Sequence, residues 1–137
     1  MATKTAFAHP SAPDYGAIFN WGVKLTDFSE LFLIAGIGAH DASGAIQHDG
    51  DPVAQTAFIL DGMPGYLKSA GYTKNDIIRV EFTMTKAVSA DRYEAIFGLF
   101  AGFFADVEVK PAAGTLRVIE ALAIPGMLVE YEFWCAK

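Results

Sequence analysis

The chain has 137 residues, 53% of them apolar, with eleven phenylalanines and a formal charge of −6. That length gives one domain with room for a core, and the apolar share excludes a disordered chain. An acidic balance without a basic run argues against nucleic acid as a partner, and no run of about eighteen uncharged apolar residues marks a membrane span.

The start of the chain, MATKTAFAHPSAP, lacks the apolar segment of a secretory signal, and Cys135 is the sole cysteine, so no internal disulfide can form. Both features fit a cytoplasmic protein. Residues 1–18 read as an irregular lead into a single domain. A first strand is expected over Phe19–Leu25 and a second, continuous apolar one over Leu31–Ile37, joined as a hairpin through Thr26–Glu30. Residues 38–50 form a polar, glycine-rich loop. Asp51 is a good N-cap and Pro52 suits the first helical position, which opens a helix with Val53, Ala57, Leu60 and Leu67 on one face. Pro64 removes the bond to the Leu60 carbonyl and is expected to kink or split that helix, and Gly71 closes it after Ala70.

Asp76–Thr85 alternates cleanly. Ile78, Val80, Phe82 and Met84 face one way, and Arg79, Glu81, Thr83 and Thr85 the other. From Ser89 to about Phe104, aromatic residues recur at helical spacing, as a helix packed on a sheet requires. Two strands, Thr115–Leu122 and Met127–Trp134, then flank Pro125-Gly126 as a closing hairpin. In the last strand Met127, Val129, Tyr131 and Phe133 share a face, while Leu128, Glu130, Glu132 and Trp134 share the other. The order β-β-α-β-α-β-β predicts an α+β domain with two helices on one sheet. The uncovered sheet face would mix charge with apolar surface, which is the composition of an interface.

With its elements in this order, the chain resembles the Rid family, the reactive-intermediate deaminases also called YjgF or L-PSP. The resemblance runs from about Phe19 to Ala136. It rests on LFLIAGIG, on DPVAQTAFILDGMPGYLKSAGYTKNDIIRVEFTM, on the Phe-rich helix ending in GFF, and on KPAAGTL and LVEYEFWCA. It implies a chorismate-mutase-like fold and a homotrimer whose sheets surround a central barrel, with small-molecule clefts between subunits. It also implies hydrolysis of enamines or imines to keto acids and ammonia, an activity that several members lack.

Carried over residue by residue, the family's site changes character here. The arginine that clamps the substrate carboxylate falls on Ala113, with Gly114 following. The cysteine two residues after that arginine is Thr115. The cleft tyrosine is Phe19, the serine before glycine in the second strand is Ala35 with Gly36 kept, and the asparagine of the second helix is Phe97. The acid of the last strand is retained as Glu130. The site is thus Glu130 as the catalytic candidate within a substrate-binding set of Phe19, Ala35, Gly36, Phe97, Ala113, Gly114 and Thr115.

Other groups carry less. Arg117 shares a strand face with Ala113 and Thr115 but lies about 13 Å along the strand from Ala113, so an ion pair with Glu130 or Glu132 across the hairpin is favoured over a substitute clamp. Glu132 is read as structural. His40 and His48 lack a third ligand, so no metal is expected, and GIGAH at 36–40 lacks the lysine and helix of a phosphate loop. No cofactor is expected. Cys135 is read as a buried, inert thiol. Two functions follow. One is an enzyme performing acid–base or hydrolytic chemistry through Glu130 on an imine-like or other small apolar metabolite. The other is a non-catalytic ligand-binding or chaperone-like trimer with a vestigial site.

Overall fold

The structure, a computed structural model, describes residues 2–15 and 18–137. Its elements are β1 (Thr3–Phe7), β2 (Gly22–Thr26), β3 (Leu31–Ile37), α1 (Pro52–Ser69), β4 (Ile77–Thr85), α2 (Tyr93–Phe103), β5 (Ala112–Ile119) and β6 (Val129–Ala136). β1 and β2 form an antiparallel ribbon of their own. The other four strands make a mixed sheet in the order β3-β6-β4-β5, in which β4 and β5 run parallel. A parallel pair needs a long crossover, and α2 supplies it. Tyr131 of β6 meets Thr56 of α1 through a 2.6 Å hydrogen bond and Phe100 of α2 edge-on at 4.9 Å, so both helices cover the same sheet face. This is the α+β architecture expected.

α1 starts where the sequence says it should. The Asp51 carboxylate accepts from the Val53 and Ala54 amides at 3.1 and 3.0 Å, with Pro52 next to the cap. Its end is a Schellman turn: Tyr72 N–H donates to Leu67 O, Gly71 N–H donates to Lys68 O, and Gly71 sits at φ +83°. Pro64 does not split the helix, which runs unbroken for 18 residues. Pro64 lies on the exposed side, where water can satisfy the carbonyl it orphans, while Ile59, Leu60, Met63 and Leu67 hold the opposite side in the core. The buried stripe also differs from the expected one in including two polar residues. Thr56 Oγ1 donates to the Pro52 carbonyl and accepts from Tyr131. Gln55, fully buried, donates to the Gly126 carbonyl at 2.8 Å and accepts from Leu128 N–H at 2.9 Å, so it fixes the entry to β6.

Four further expectations are corrected. The N-terminal stretch is not wholly irregular, because Thr3–Phe7 forms β1 and takes β2 as its partner. Thr26–Glu30 is not the turn of a hairpin. Asp27 takes φ +58°, and Ser29 and Glu30 donate to the Lys137 carbonyl, so the chain is turned toward the C-terminal strand and β3 pairs with β6. The last two strands are not a hairpin either. The α2 crossover places β5 outside β4, and β6 enters between β3 and β4 as a central strand. Finally, Ile77 is fully buried, not Ile78, because the β4–β6 register slips between Ile77 and Arg79.

Below the helices Phe82, Tyr131 and Phe133 are buried with Ile96, Phe100 and Phe104. The other sheet face is uncovered in the single chain. It presents Leu33, 60% exposed, directly opposite Trp134, 40% exposed, beside the charged residues of β4, β5 and β6. Among the described residues no helix is long and apolar enough to cross a membrane.

Candidate functional site

Asn20, just before β2, joins the start of β5. Asn20 N–H donates to the Pro111 carbonyl at 3.0 Å and bridges to Ala112. A cavity of about 500 Å³ lies between Tyr15, residues 18–21 and the start of β5, floored by Phe82 and walled by Phe97 of α2. Phe19, Phe97, Ala113 and Gly114 line it, so four of the predicted positions meet here. Phe19 is 6% exposed and stands edge-on to Phe82 at 5.2 Å. Tyr15, Asn20 and Trp21 complete the wall. The sequence reading missed Tyr15 because it treated residues 1–18 as irregular, and it placed Asn20 and Trp21 in an expected first strand over Phe19–Leu25, whereas β2 starts at Gly22. No charged side chain is among the described lining residues, so none of them offers a carboxylate an opposite charge.

The remaining positions lie elsewhere. Ala35 and Gly36 sit in a bulge of β3, at the opposite edge of the sheet, beside a second cavity of about 410 Å³ that β3 shares with α1. Glu130 projects from β6 over Gly36 so closely that a Cβ there would lie 2.2 Å from Glu130 Oε1. Only glycine leaves this carboxylate its place. Glu130 lines neither cavity, and among the described residues no hydrogen bond or ion pair engages its carboxylate. Within one chain, therefore, Glu130 is not surrounded by Phe19, Phe97 and Ala113.

A second acid occupies a matching position. β5 bulges opposite Val80–Phe82, and there Glu81 of β4 lies over Gly114, where a Cβ would be 2.3 Å from the carboxylate carbon. Thr115, another predicted contact, does not face the cavity; its N–H, freed by the bulge, donates to Glu81 Oε2 at 3.2 Å. Arg79 donates to Oε1 at 2.8 and 2.6 Å, and Arg117 to Oε2 at 2.9 Å. Burial of this residue, 7% exposed, pushes its carboxyl up, but the hydrogen bonds from Arg79 and Arg117 outweigh it and hold the group below the usual carboxylate range. Arg117 thus forms the ion pair that was expected, with Glu81 in place of Glu130 or Glu132. Its guanidinium is not a substitute clamp for the cavity. Glu81 went unrecognised as a partner because the β4–β5 adjacency is a crossover relation that no local pattern announces.

His40 is exposed, and His48 packs against Phe58 at φ +53° in the glycine-rich loop. Among the described residues no cluster of three or more His, Cys, Asp or Glu could hold a metal ion. Cys135 is fully buried, and burial, with the charge of Asp76, pushes its thiol up to about 12, which keeps it protonated and inert.

No family model matches the sequence, and no curated protein does. The fold, in contrast, has many solved counterparts. It superposes on YyfB of the conserved Rid protein family from Yersinia pestis, a protein of unknown function, with a TM-score of 0.85 and 25% identity over 98% of each chain. YyfA, another Rid protein of Yersinia pestis, gives 0.65 and 18% over 98% of this chain and all of its own. A YjgF-family protein from Mycobacterium tuberculosis gives 0.63 and 22% over the whole of both chains.

Proposed function

Starting from a Rid-like protein, one whose structural neighbours are Rid, YjgF and L-PSP proteins along its whole length, we propose a homotrimer whose clefts between subunits bind a small, largely apolar metabolite. In this reading Glu130 performs acid–base or water-activating chemistry on an imine-like or similar neutral group. The observation that carries the proposal is the uncharged cavity at Phe19, Phe97, Ala113 and Gly114.

The two halves of the site lie at opposite edges of one sheet, the cavity beside β5 and Ala35-Gly36 on β3. A head-to-tail ring joins unlike edges of successive copies. Such a ring would bring Gly36 and Glu130 of one copy against the cavity of the next. Glu130 is suited to the role: it is half-buried, it is spent on no arginine, and a glycine holds space for it. With a neutral imine bound, it would direct a water at the imine carbon while the nitrogen gains a proton, so that the carbonyl compound and the amine leave. A non-catalytic ligand-binding trimer is the second reading, favoured by the loss of every charged group from the cavity wall.

Carbonyl release from a panel of small neutral imines tests the choice. The wild type should exceed the solution rate, and Glu130→Gln should return to it while keeping the oligomeric mass. Turnover by Glu130→Gln at the wild-type rate would refute the acid–base role. Dissociation of that variant would assign Glu130 to the assembly, and no acceleration of any imine by the wild type would favour the binding reading.

A further inference from the structure

The cavity carries a rim outside the positions that the sequence singled out. Tyr15 and Trp21 line its mouth, 54% and 46% exposed, with ring centroids 5.7 Å apart. The Trp21 indole N–H donates to the Pro13 carbonyl at 2.6 Å. That bond and a tilted contact with His9 at 5.5 Å hold the ring while leaving it partly exposed at the cavity. Deeper in, Phe19 and Phe97 each stand edge-on to Phe82, at 5.2 Å and 76° and at 5.4 Å and 65°. Tyr15, Phe19, Trp21, Phe82 and Phe97 thus set five rings around one space.

Rings with a negative face and a positive edge favour tilted or edge-on neighbours at centroid distances of about 4.5–7 Å. The protein's own rings already adopt that lattice, and a ligand ring entering the cavity would extend it. A saturated ligand of the same shape would gain only burial. A charged ligand would lose its water without finding an opposite charge in the wall. Asn20 supplies the polar handle: one N–H of its Nδ2 donates to the Lys110 carbonyl at 2.7 Å, which orients the carboxamide, and its oxygen is an acceptor. The volume, about 500 Å³, falls in the range that takes a small-molecule ligand. Resting on the reading of this cavity as a metabolite cleft, we infer that its ligand is a neutral one- or two-ring aromatic molecule with a single hydrogen-bond donor.

Calorimetric titration of the full chain with 2-naphthol, with its saturated analogue 2-decalol and with 2-naphthoate tests this. 2-Naphthol should bind saturably, and each of the other two at least about fivefold more weakly. Trp21→Leu removes the ring but keeps an apolar side chain, and should weaken 2-naphthol about three- to tenfold and 2-decalol by a smaller factor, that of the lost contact area alone. Ala113→Trp fills the cavity and should abolish binding of all three. Equal affinity for 2-decalol and 2-naphthol would overturn the aromatic inference and leave the apolar cleft standing. Preference for 2-naphthoate would overturn the requirement for a neutral ligand. Binding of neither neutral probe, or 2-naphthol binding untouched by Ala113→Trp, would overturn the cleft itself.

Discussion

Two places on the open sheet face repeat one construction. In each, an edge strand bulges, the bulge carries a glycine, and a glutamate from the neighbouring strand lies over that glycine: Glu81 over Gly114 at the β5 edge, Glu130 over Gly36 at the β3 edge. The difference is in what the carboxylate touches. Glu81 is held by Arg79, Arg117 and the Thr115 amide, while no described residue engages Glu130 by hydrogen bond or ion pair. A bulge re-aims side chains, and here the same device makes a satisfied structural acid at one edge and an uncommitted acid at the other. An acid spent on two guanidiniums holds strands together. An unspent one, in a place kept clear by glycine, is available for chemistry.

The sharpest break of this comparison is a methyl group at each glycine. Gly114→Ala puts a Cβ 2.3–2.5 Å from a carboxylate that two arginines prevent from swinging away. It should cost about 3 kcal/mol, read as a fall in the urea midpoint, because overpacking adds to a broken ion pair. Gly36→Ala makes an equally close contact, 2.2 Å, but with the end of a side chain free to rotate. Its cost should stay below about 1 kcal/mol. Equal losses in the two variants would mean that Glu130 is as firmly held as Glu81.

The next test moves a cation instead of a methyl. The wild type should not accelerate hydrolysis of 2-iminopropanoate, whose carboxylate finds no donor at Ala113 and cannot recruit the Arg117 already bound to Glu81. Ala113→Arg places a guanidinium at the cavity and should tighten binding of that substrate about ten- to hundredfold, the worth of a charge-assisted contact. Wild-type activity equal to that of Ala113→Arg would show that Arg117 serves the cavity after all.

The smallest effect is set by pH. The Glu81 carboxyl lies below its ordinary value of 4.5 in the folded state. A lowered folded pKa means that its contribution is present above the unfolded value and is lost as pH falls through the folded one. Glu81→Gln should therefore melt lower than the wild type at pH 7, by about 1–2 kcal/mol of stability, since both arginines are half exposed. The gap should narrow as the pH falls below 4.5 toward the folded value. A gap that does not change with pH would mean that Glu81 acts through shape and not through charge.

The sequence revealed the parts of this molecule that are locally encoded. Asp51-Pro52 and Gly71 bound α1, alternation marks β4, and the aromatic spacing marks α2. The cavity positions Phe19, Phe97, Ala113 and Gly114 came from a resemblance, and the structure gathers them. What stayed hidden was non-local. The parallel placement of β5 beside β4, and hence the Glu81–Arg117 pair, follows from the α2 crossover, and the passage of β6 between β3 and β4 is concealed by a hairpin-like Pro125-Gly126 turn. Pro64 misled for a related reason, since its effect depends on which face of α1 meets water. Trp21 is held at the cavity by a hydrogen bond to Pro13 that no periodicity announces.

In the proposed site Gly36 and Glu130 of one copy complete the cavity of another, and this requires a ring. Sedimentation equilibrium or light scattering at micromolar concentration measures it directly. The predicted result is a single species of three times the 14.7 kDa chain mass. A species of one chain mass at that concentration would leave Glu130 and the cavity at opposite edges of a lone sheet, and would contradict the proposed site.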